Sequence, residues 1–354
     1  MDLAQILLAA QPHVPAHYRP GIGIIGSGGI VRGAHLPAYQ KYGLNVIGIY
    51  DIQPAATQAA QAQWSTLRIF ETLDELLDNP DIEVVDIATH PAQRVELIQR
   101  ALAAGKHVLS QKPFAPDLST ARMLVTEAEQ RGLLLAVNQN GRWSPAWRVA
   151  TLLLQQQAIG SLLAVTHLFE TSFAWRPGSP FDLIPHSTTY DYAIHWIDII
   201  RCWLEDYQLS NVRAQEYRTP NQPLESKSDW GMSAEFSYQH GVRAFIHCIG
   251  GTETSRQGHP FWLHGTQGTI RGCALGNDFI ELERDGVFSR FDLKGSWFPD
   301  GFAGAMGELL SAIAEQREPY NSARHNLLTL EMTLAACQSE DADGQPVAFE
   351  EVPA

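Results

Sequence analysis

Between Gly21 and about Asn138, short apolar runs alternate with amphipathic segments, and this alternation constrains the fold more than any other feature of the chain. The runs are IGII (22–25), NVIGIYD (45–51), EVVDIAT (83–89), HVLS (107–110) and LLLAVN (133–138). They are β-branched or Leu-rich and continuous rather than alternating, as strands buried on both faces are. The segments between them read as helices. TLDELL opens on Thr72-x-x-Glu75, a capping box. AQRVELIQRALAAG places Val95, Ile98 and Leu102 on one stripe and stops at Gly105. Strand–helix alternation of this kind predicts a parallel, doubly wound sheet.

The first strand carries glycines in two overlapping registers, Gly21-x-Gly23-x-x-Gly26 and Gly26-x-Gly28-x-x-Val31. Only the first matches the dinucleotide pattern letter for letter. A phosphate-binding turn must follow a strand and open a helix. Upstream of Gly21 stands AHYRP, which cannot be a core strand; upstream of Gly26 stands IGII, which can. The turn is therefore Gly26-Ser27-Gly28-Gly29-Ile30, and Gly21 and Gly23 belong to the strand. Asp51 ends the second run, 20 residues beyond Val31, where a carboxylate accepts hydrogen bonds from adenosine ribose hydroxyls. IQPAATQ after it offers no Arg or Lys for a 2′-phosphate, so NAD is favoured over NADP. The first domain is predicted to be a Rossmann dinucleotide-binding domain over 21–142.

After NQNGRWSP the pattern changes to a helix over 146–157 and then longer, loosely alternating strands. SLLAVTHLFETSF, SAEFSYQHGVRAFIHCIG, FWLHGTQGTIRGCA and DFIELERDG, with returns at Gln267-Gly268 and Asp285-Gly286, predict a large, open, mainly antiparallel sheet. Helices from about Gly304 to Gln316 and after Asn321 complete an α+β domain over 143–354. One helix, 188–204, is apolar or aromatic almost throughout, yet Asp191, His195 and Asp198 fall at i, i+4 and i+7. Burying that line costs free energy unless its members pair or face a polar cavity. A satisfied core pair of His195 with Asp198, Arg201 nearby, and a catalytic stripe remain alternatives at this point. No further ligand cluster supports a metal.

Composition excludes several classes. A net charge of −14, from 25 basic and 39 acidic residues, argues against a nucleic-acid partner. No run is apolar enough to span a bilayer. The cysteines, Cys202, Cys248, Cys273 and Cys337, have neither zinc nor disulfide-framework spacing. Residues 1–20 lack a basic start and carry Asp2, which predicts a short helical extension on a cytoplasmic protein rather than a signal peptide.

Taken in order, GSGGIVRGAHLPAY, DIATHPAQRVELIQRALAAGKHVLSQKPFA, NGRWSP, DYAIHWID, GTQGTI and ELLSAIAEQREPY resemble the Gfo/Idh/MocA oxidoreductases, the family of glucose–fructose oxidoreductase and inositol dehydrogenase. Gln111-Lys112-Pro113 stands where that family has Glu-Lys-Pro, with Arg94 where it often has His. The resemblance implies that Lys112, Asp191 and His195 meet over the nicotinamide. It also implies that Thr89, His90, Gln111 and Asn138 or Asn140 contact the cofactor. His195 can take a hydroxyl proton near neutral pH, and Lys112 can stabilise the developing alkoxide or share the relay. Which of the two is the terminal base stays open. Gln111 in place of Glu removes a charge beside Lys112. The substrate expected is a sugar, polyol, inositol or sugar acid, with Trp143, Trp175, Arg176, His186 and Tyr190 as wall residues and Arg176 suited to a carboxylate. The alternatives are a hydrolase or lyase that uses bound NAD transiently, and a non-catalytic NAD-binding regulator. The open sheet predicts a homodimer or homotetramer.

Overall fold

The computed structural model describes residues 3–253 and 258–349. The chain forms two compact units, each discontinuous in sequence: Pro12–Trp143 with Phe298–Leu327, and Met1–Gln11 with Ser144–Trp297 and Leu328–Ala354. The expected division into 1–20, 21–142 and 143–354 is corrected in two places. Residues 298–327 pack with the parallel-sheet unit, and the N-terminal helix α1 (Leu3–Ala9) joins the other.

In the first unit the strands β1 (Gly21–Ile25), β2 (Val46–Tyr50), β3 (Ile82–Ile87), β4 (His107–Ser110) and β5 (Leu135–Val137) form a parallel sheet in the order β2-β1-β3-β4-β5. Beyond β2, Ile69 makes a single parallel bridge to Ile49. Counting that vestigial strand, the order is that of the doubly wound dinucleotide fold, with its reversal between β1 and β3. The helices are α2 (Leu36–Lys41), preceded by a π-helical turn over Val31–His35, α3 (Pro54–Gln63), α4 (Leu73–Leu77), α5 (Pro91–Ala103) and α6 (Leu118–Gln130). Local chemistry explains their ends. Thr72 Oγ1 accepts from the Glu75 amide at 3.1 Å, while the Glu75 carboxylate reaches the Glu71 amide at 3.0 Å, one residue outside the usual box. Gly105, at φ +73°, ends α5 in the left-handed region.

The helix α9 (Phe302–Glu315) explains why the later segment belongs here. Met306, Leu309 and Leu310 are wholly buried in the same cluster as Ile24, Val84 and Leu109. Each such side chain contributes about 2 kcal/mol relative to exposure. Asn321 donates to the Val137 and Ala305 carbonyls at 3.1 and 3.2 Å, and Ser322 bridges Ala136 at the β5 edge.

The second unit is built on a nine-stranded sheet. Its strands are β6 (Leu162–Glu170), β7 (Leu209–Tyr217), β8 (Gly231–Tyr238), β9 (Arg243–Ile249), β10 (His259–Gly265), β11 (Gly268–Ala274), β12 (Phe279–Arg284), β13 (Val287–Asp292) and β14 (Val347–Ala348). The order is β13-β12-β11-β10-β6-β9-β8-β7-β14, and only β6 and β9 pair in parallel. The run SAEFSYQHGVRAFIHCIG is thus two strands, broken where His240 and Gly241 take positive φ. Helices α7 (Pro145–Gln155), α8 (Ile194–Trp203) and the later part of α10 (Ala323–Asp341) supply the rest of the core. At its centre Trp147 meets Trp196, Trp203, Trp297 and His167.

Candidate functional site

At the carboxyl edge of the parallel sheet the backbone bonding runs past the strand ends. Gly26 N–H donates to Tyr50 O, Ala88 N–H to Ile25 O, Gln111 N–H to Ile87 O and Asn138 N–H to Ser110 O. Gly21 and Gly23 lie inside β1, and the turn begins at Gly26. Gly26 has φ +103°, and a Cβ there would lie 2.5 Å from Ala88 O, so only glycine fits. At Gly28 and Gly29 a Cβ would meet nothing within 4 Å. Gly28, Gly29 and Ile30 are exposed, whereas Ser27 is buried. Asp51 reaches into this turn: Oδ2 accepts from Ser27 N–H at 2.7 Å and Oδ1 from Gln53 N–H at 2.8 Å. A carboxylate has acceptor sites beyond those two. Thr89, just past β3, has a buried Oγ1 with no hydrogen-bond partner among the described residues. His90 is the N-cap residue of α5.

Lys112 follows β4 and is half-buried, with a cis bond to Pro113. Arg94 holds this strand end. Its Nη1 donates to the carbonyls of Lys112 and Pro113, both at 2.6 Å, and its Nε and Nη2 donate to Thr89 O at 3.0 and 2.7 Å. The rigid fork of a guanidinium suits such bridging of two strand ends. Gln111 is turned inward, its Nε2 2.9 Å from His35 Nε2. Asn140 is buried and donates to the Asn138 carbonyl and side chain at 3.3 Å. Trp143 is buried against Gly304, where a Cβ would sit 2.3 Å from Trp143 Cγ.

In the second unit the expected helix 188–204 is a π-helical segment over Ser187–Ala193 followed by α8. Wide turns of this kind re-aim side chains and recur at functional sites. Asp191 lies in the π segment and is buried; His195 is half-buried, edge-on to Trp297 with centroids 5.3 Å apart. Asp198 accepts from Thr329 Oγ1 of α10 at 2.8 Å. Arg201 directs its Nη2 to Cys202 Sγ at 3.2 Å.

The proposed wall residues divide. Trp175 is exposed, while Arg176 is 1% exposed, over the Phe173 ring and donating to Thr188 Oγ1 at 2.7 Å. Burial lowers the Arg176 pKa, opposed by the nearby Asp191 charge. Tyr190 is half-buried, its amide donating to His186 O at 2.6 Å. His186, at φ +50°, engages Glu340 Oε2 through Nδ1 at 2.7 Å and Asp341 Oδ1 through Nε2 at 3.1 Å. The bond to Glu340 pushes its pKa up to about 9. Glu216, half-buried and beside Glu340, is pushed up to about 8, chiefly by desolvation. His186, Glu216 and Glu340 place ligand atoms within 4.8 Å of one another, the one group among the described residues so spaced. Glu216 Oε1 accepts from the Thr189 amide at 2.7 Å and Thr189 Oγ1 donates to Glu340, so the group fastens the start of the π segment.

Residues 21–139 match the family model described as an oxidoreductase family with an NAD-binding Rossmann fold, GFO_IDH_MocA. That match covers the parallel-sheet domain alone. An uncharacterized oxidoreductase of Schizosaccharomyces pombe is 34% identical over 149 residues, 39% of each chain. The present chain therefore spans well under two thirds of that relative's length. A D-apiose dehydrogenase of Paraburkholderia graminis is 27% identical over 245 residues, 67% of this chain and 63% of that one. Among solved structures, a levoglucosan dehydrogenase in complex with NADH and levoglucosan superposes with a TM-score of 0.81 at 21% identity, covering 94% of this chain and 100% of that one. At that identity the likeness establishes the fold.

Among the residues that position the Lys112 strand end, sequence reasoning left Arg94 uninterpreted and did not single out His35 or Asp86. Arg94 carried one usable signal: it lies on the same α5 face as Ile98 and Leu102, both fully buried. The His186–Glu216–Glu340 group carried none, because its members are far apart in sequence.

Proposed function

We propose that the protein is an NAD-dependent dehydrogenase or reductase acting on a secondary alcohol of a sugar, polyol, inositol or sugar acid. The observation that carries this reading is the carboxyl edge of the parallel sheet. There the open space at Gly28 and Gly29, a Thr89 Oγ1 with no partner among the described residues and the Asp51 carboxylate occur on consecutive strand ends, with Lys112 on the next. Those residues fit a dinucleotide. Gly26, Ser27, Gly28, Gly29 and Ile30 would hold the pyrophosphate through backbone amides, and Asp51 the adenosine ribose. Thr89, His90, Lys112 and Asn140 would serve the nicotinamide half. Asp51 repels a 2′-phosphate, and residues 52–63 contain no Lys or Arg to attract one, which favours NAD over NADP.

NAD, when bound, supplies the hydride acceptor that no side chain provides. The chain's own residues handle the proton and the orientation. His195 takes or returns the hydroxyl proton, Lys112 donates a hydrogen bond to the same oxygen, and Asp191 orients the imidazole or a neighbouring hydroxyl. The names of the D-apiose and levoglucosan dehydrogenases support a sugar-like substrate.

The test is an absorbance screen at about 340 nm, where reduced nicotinamide absorbs, with NAD or NADP and a panel of sugars, polyols, inositols and sugar acids. Reduction of NAD by one class, lost in Lys112→Ala, is expected. Failure to bind either dinucleotide overturns the reading. Binding without reduction, joined to cleavage of a glycoside, replaces it with transient redox catalysis.

A further inference from the structure

Beneath the strand end that carries Lys112 lies a chain of buried polar groups that the proposed reaction does not use. His35 and Asp86 are 0% exposed, Tyr39 1% and Gln111 5%. They come from the π turn before α2, from β3, from α2 and from the residue after β4. His35 Nδ1 lies 2.6 Å from Asp86 Oδ2, and Tyr39 donates to the same oxygen at 2.5 Å. His35 Nε2 lies 2.9 Å from Gln111 Nε2. Gln111 Oε1 accepts from the Lys112 amide at 3.3 Å. The remaining face of the imidazole meets the Phe302 ring of α9, centroids 4.8 Å apart.

These contacts determine where the protons are. The Lys112 amide can only donate, so the Gln111 atom it faces is the oxygen and the atom facing His35 is the NH₂ group. A primary amide nitrogen only donates, so His35 Nε2 must be a bare acceptor. The imidazole proton then sits on Nδ1, donated to Asp86. Tyr39 stays a donor, since burial and then the Asp86 charge raise its pKa well above the ordinary value. Every polar link is satisfied in one direction only: Lys112 N–H to Gln111, Gln111 to His35, His35 to Asp86, with Tyr39 closing on Asp86.

We propose that Gln111 is a positioning residue that fixes His35 as the neutral, Nδ1-protonated tautomer and thereby ties the Lys112 strand end to Asp86 on β3. A carboxylate at position 111 would have to accept from His35, and with Nδ1 still donating to Asp86 that requires a second proton on the ring. Glutamate with imidazolium carries the same net charge as glutamine with neutral imidazole. A glutamate at position 111 would therefore be compensated one residue away, with the net charge beside Lys112 unchanged.

The inference leans on the proposed reaction only in giving Lys112 a role, and its test needs neither cofactor nor substrate. Imidazole ¹⁵N–¹H correlation spectra of the full chain distinguish the two neutral tautomers from imidazolium. At about pH 7.5 the expected wild-type signature for His35 is a protonated Nδ1 and an unprotonated Nε2. Gln111→Glu is expected to protonate both nitrogens, a gain of one proton per chain. A wild-type Nε2–H tautomer or imidazolium overturns the proposal even if the variant does not fold. A folded Gln111→Glu whose His35 keeps a single proton overturns it as well.

Discussion

Gly26 and Gly28 stand two residues apart in one turn and answer to different demands. Gly26 is required by the fold: its φ of +103° and the 2.5 Å approach of Ala88 O exclude any side chain. Gly26→Ala is expected to destabilise the parallel-sheet unit by about 3 kcal/mol, read as a shift in denaturation midpoint. Gly28 has open space around it, so Gly28→Ala should melt like the wild type while binding NAD at least about tenfold more weakly. A Gly28→Ala protein with unchanged NAD affinity would remove the phosphate from that turn. The register of this motif was legible because a strand must precede it. Arg94 was not, because an arginine in a helix ordinarily reads as a solvated side chain, and only the folded geometry brings three carbonyls to its fork. His35 and Asp86 lie 51 residues apart, a pairing that no local pattern encodes.

At the scale of elements, the second unit holds titratable groups that pull stability in opposite directions. Burial lowers the His167 pKa to about 3 and the His259 pKa to about 4. Below about pH 6.5 the unfolded chain binds more protons at these sites, so stability falls on acidification by up to about 1.4 kcal/mol per pH unit for each. Asp278, raised to about 6 by burial, offsets one of the two between its unfolded and folded values, and Glu216, raised to about 8, offsets the other above about pH 4.5, so the acid limb is shallow. Glu216 and His186 have raised pKa values, so the folded state holds their protons longer and stability falls as pH rises toward about 8 to 9. Thermal midpoints should therefore peak near about pH 6.5. Among the described residues neither ring nitrogen of His167 has a hydrogen-bond partner, so His167→Leu loses no such bond and should flatten the acid limb. An acid limb unchanged in that variant would contradict the assignment. The strands of the parallel sheet were legible as apolar runs. β7 was not, because LSNVRAQEY is largely polar and half-exposed on the sheet, next to the short terminal β14.

At the scale of the whole molecule, the departure from the sequence reading is the return of residues 298–327 to the parallel-sheet unit. A contiguous boundary is the natural expectation, since nothing in a linear pattern announces that Met306 or Leu310 completes a core built mainly from residues before 144. The nine-stranded sheet buries Val165, Ala244 and Leu263 in its core. On the neighbouring register positions Thr166 is flanked by Phe245 and Trp262, both part-exposed or exposed. An apolar sheet face of this kind favours self-association. Light scattering is expected to give a dimer or tetramer, and Phe245→Glu with Trp262→Glu a lighter species; a monomeric wild type would end that reading.

We propose that Lys112 and His195 serve one reaction. A double-mutant cycle on kcat/KM for the substrate that reduces NAD tests it most directly. Lys112→Ala and His195→Ala should each lose about 100-fold or more, and the double variant should be little worse than the poorer single one, because groups acting on one proton transfer are not additive. Losses that simply multiply, or a His195→Ala enzyme that turns over normally, would contradict the account.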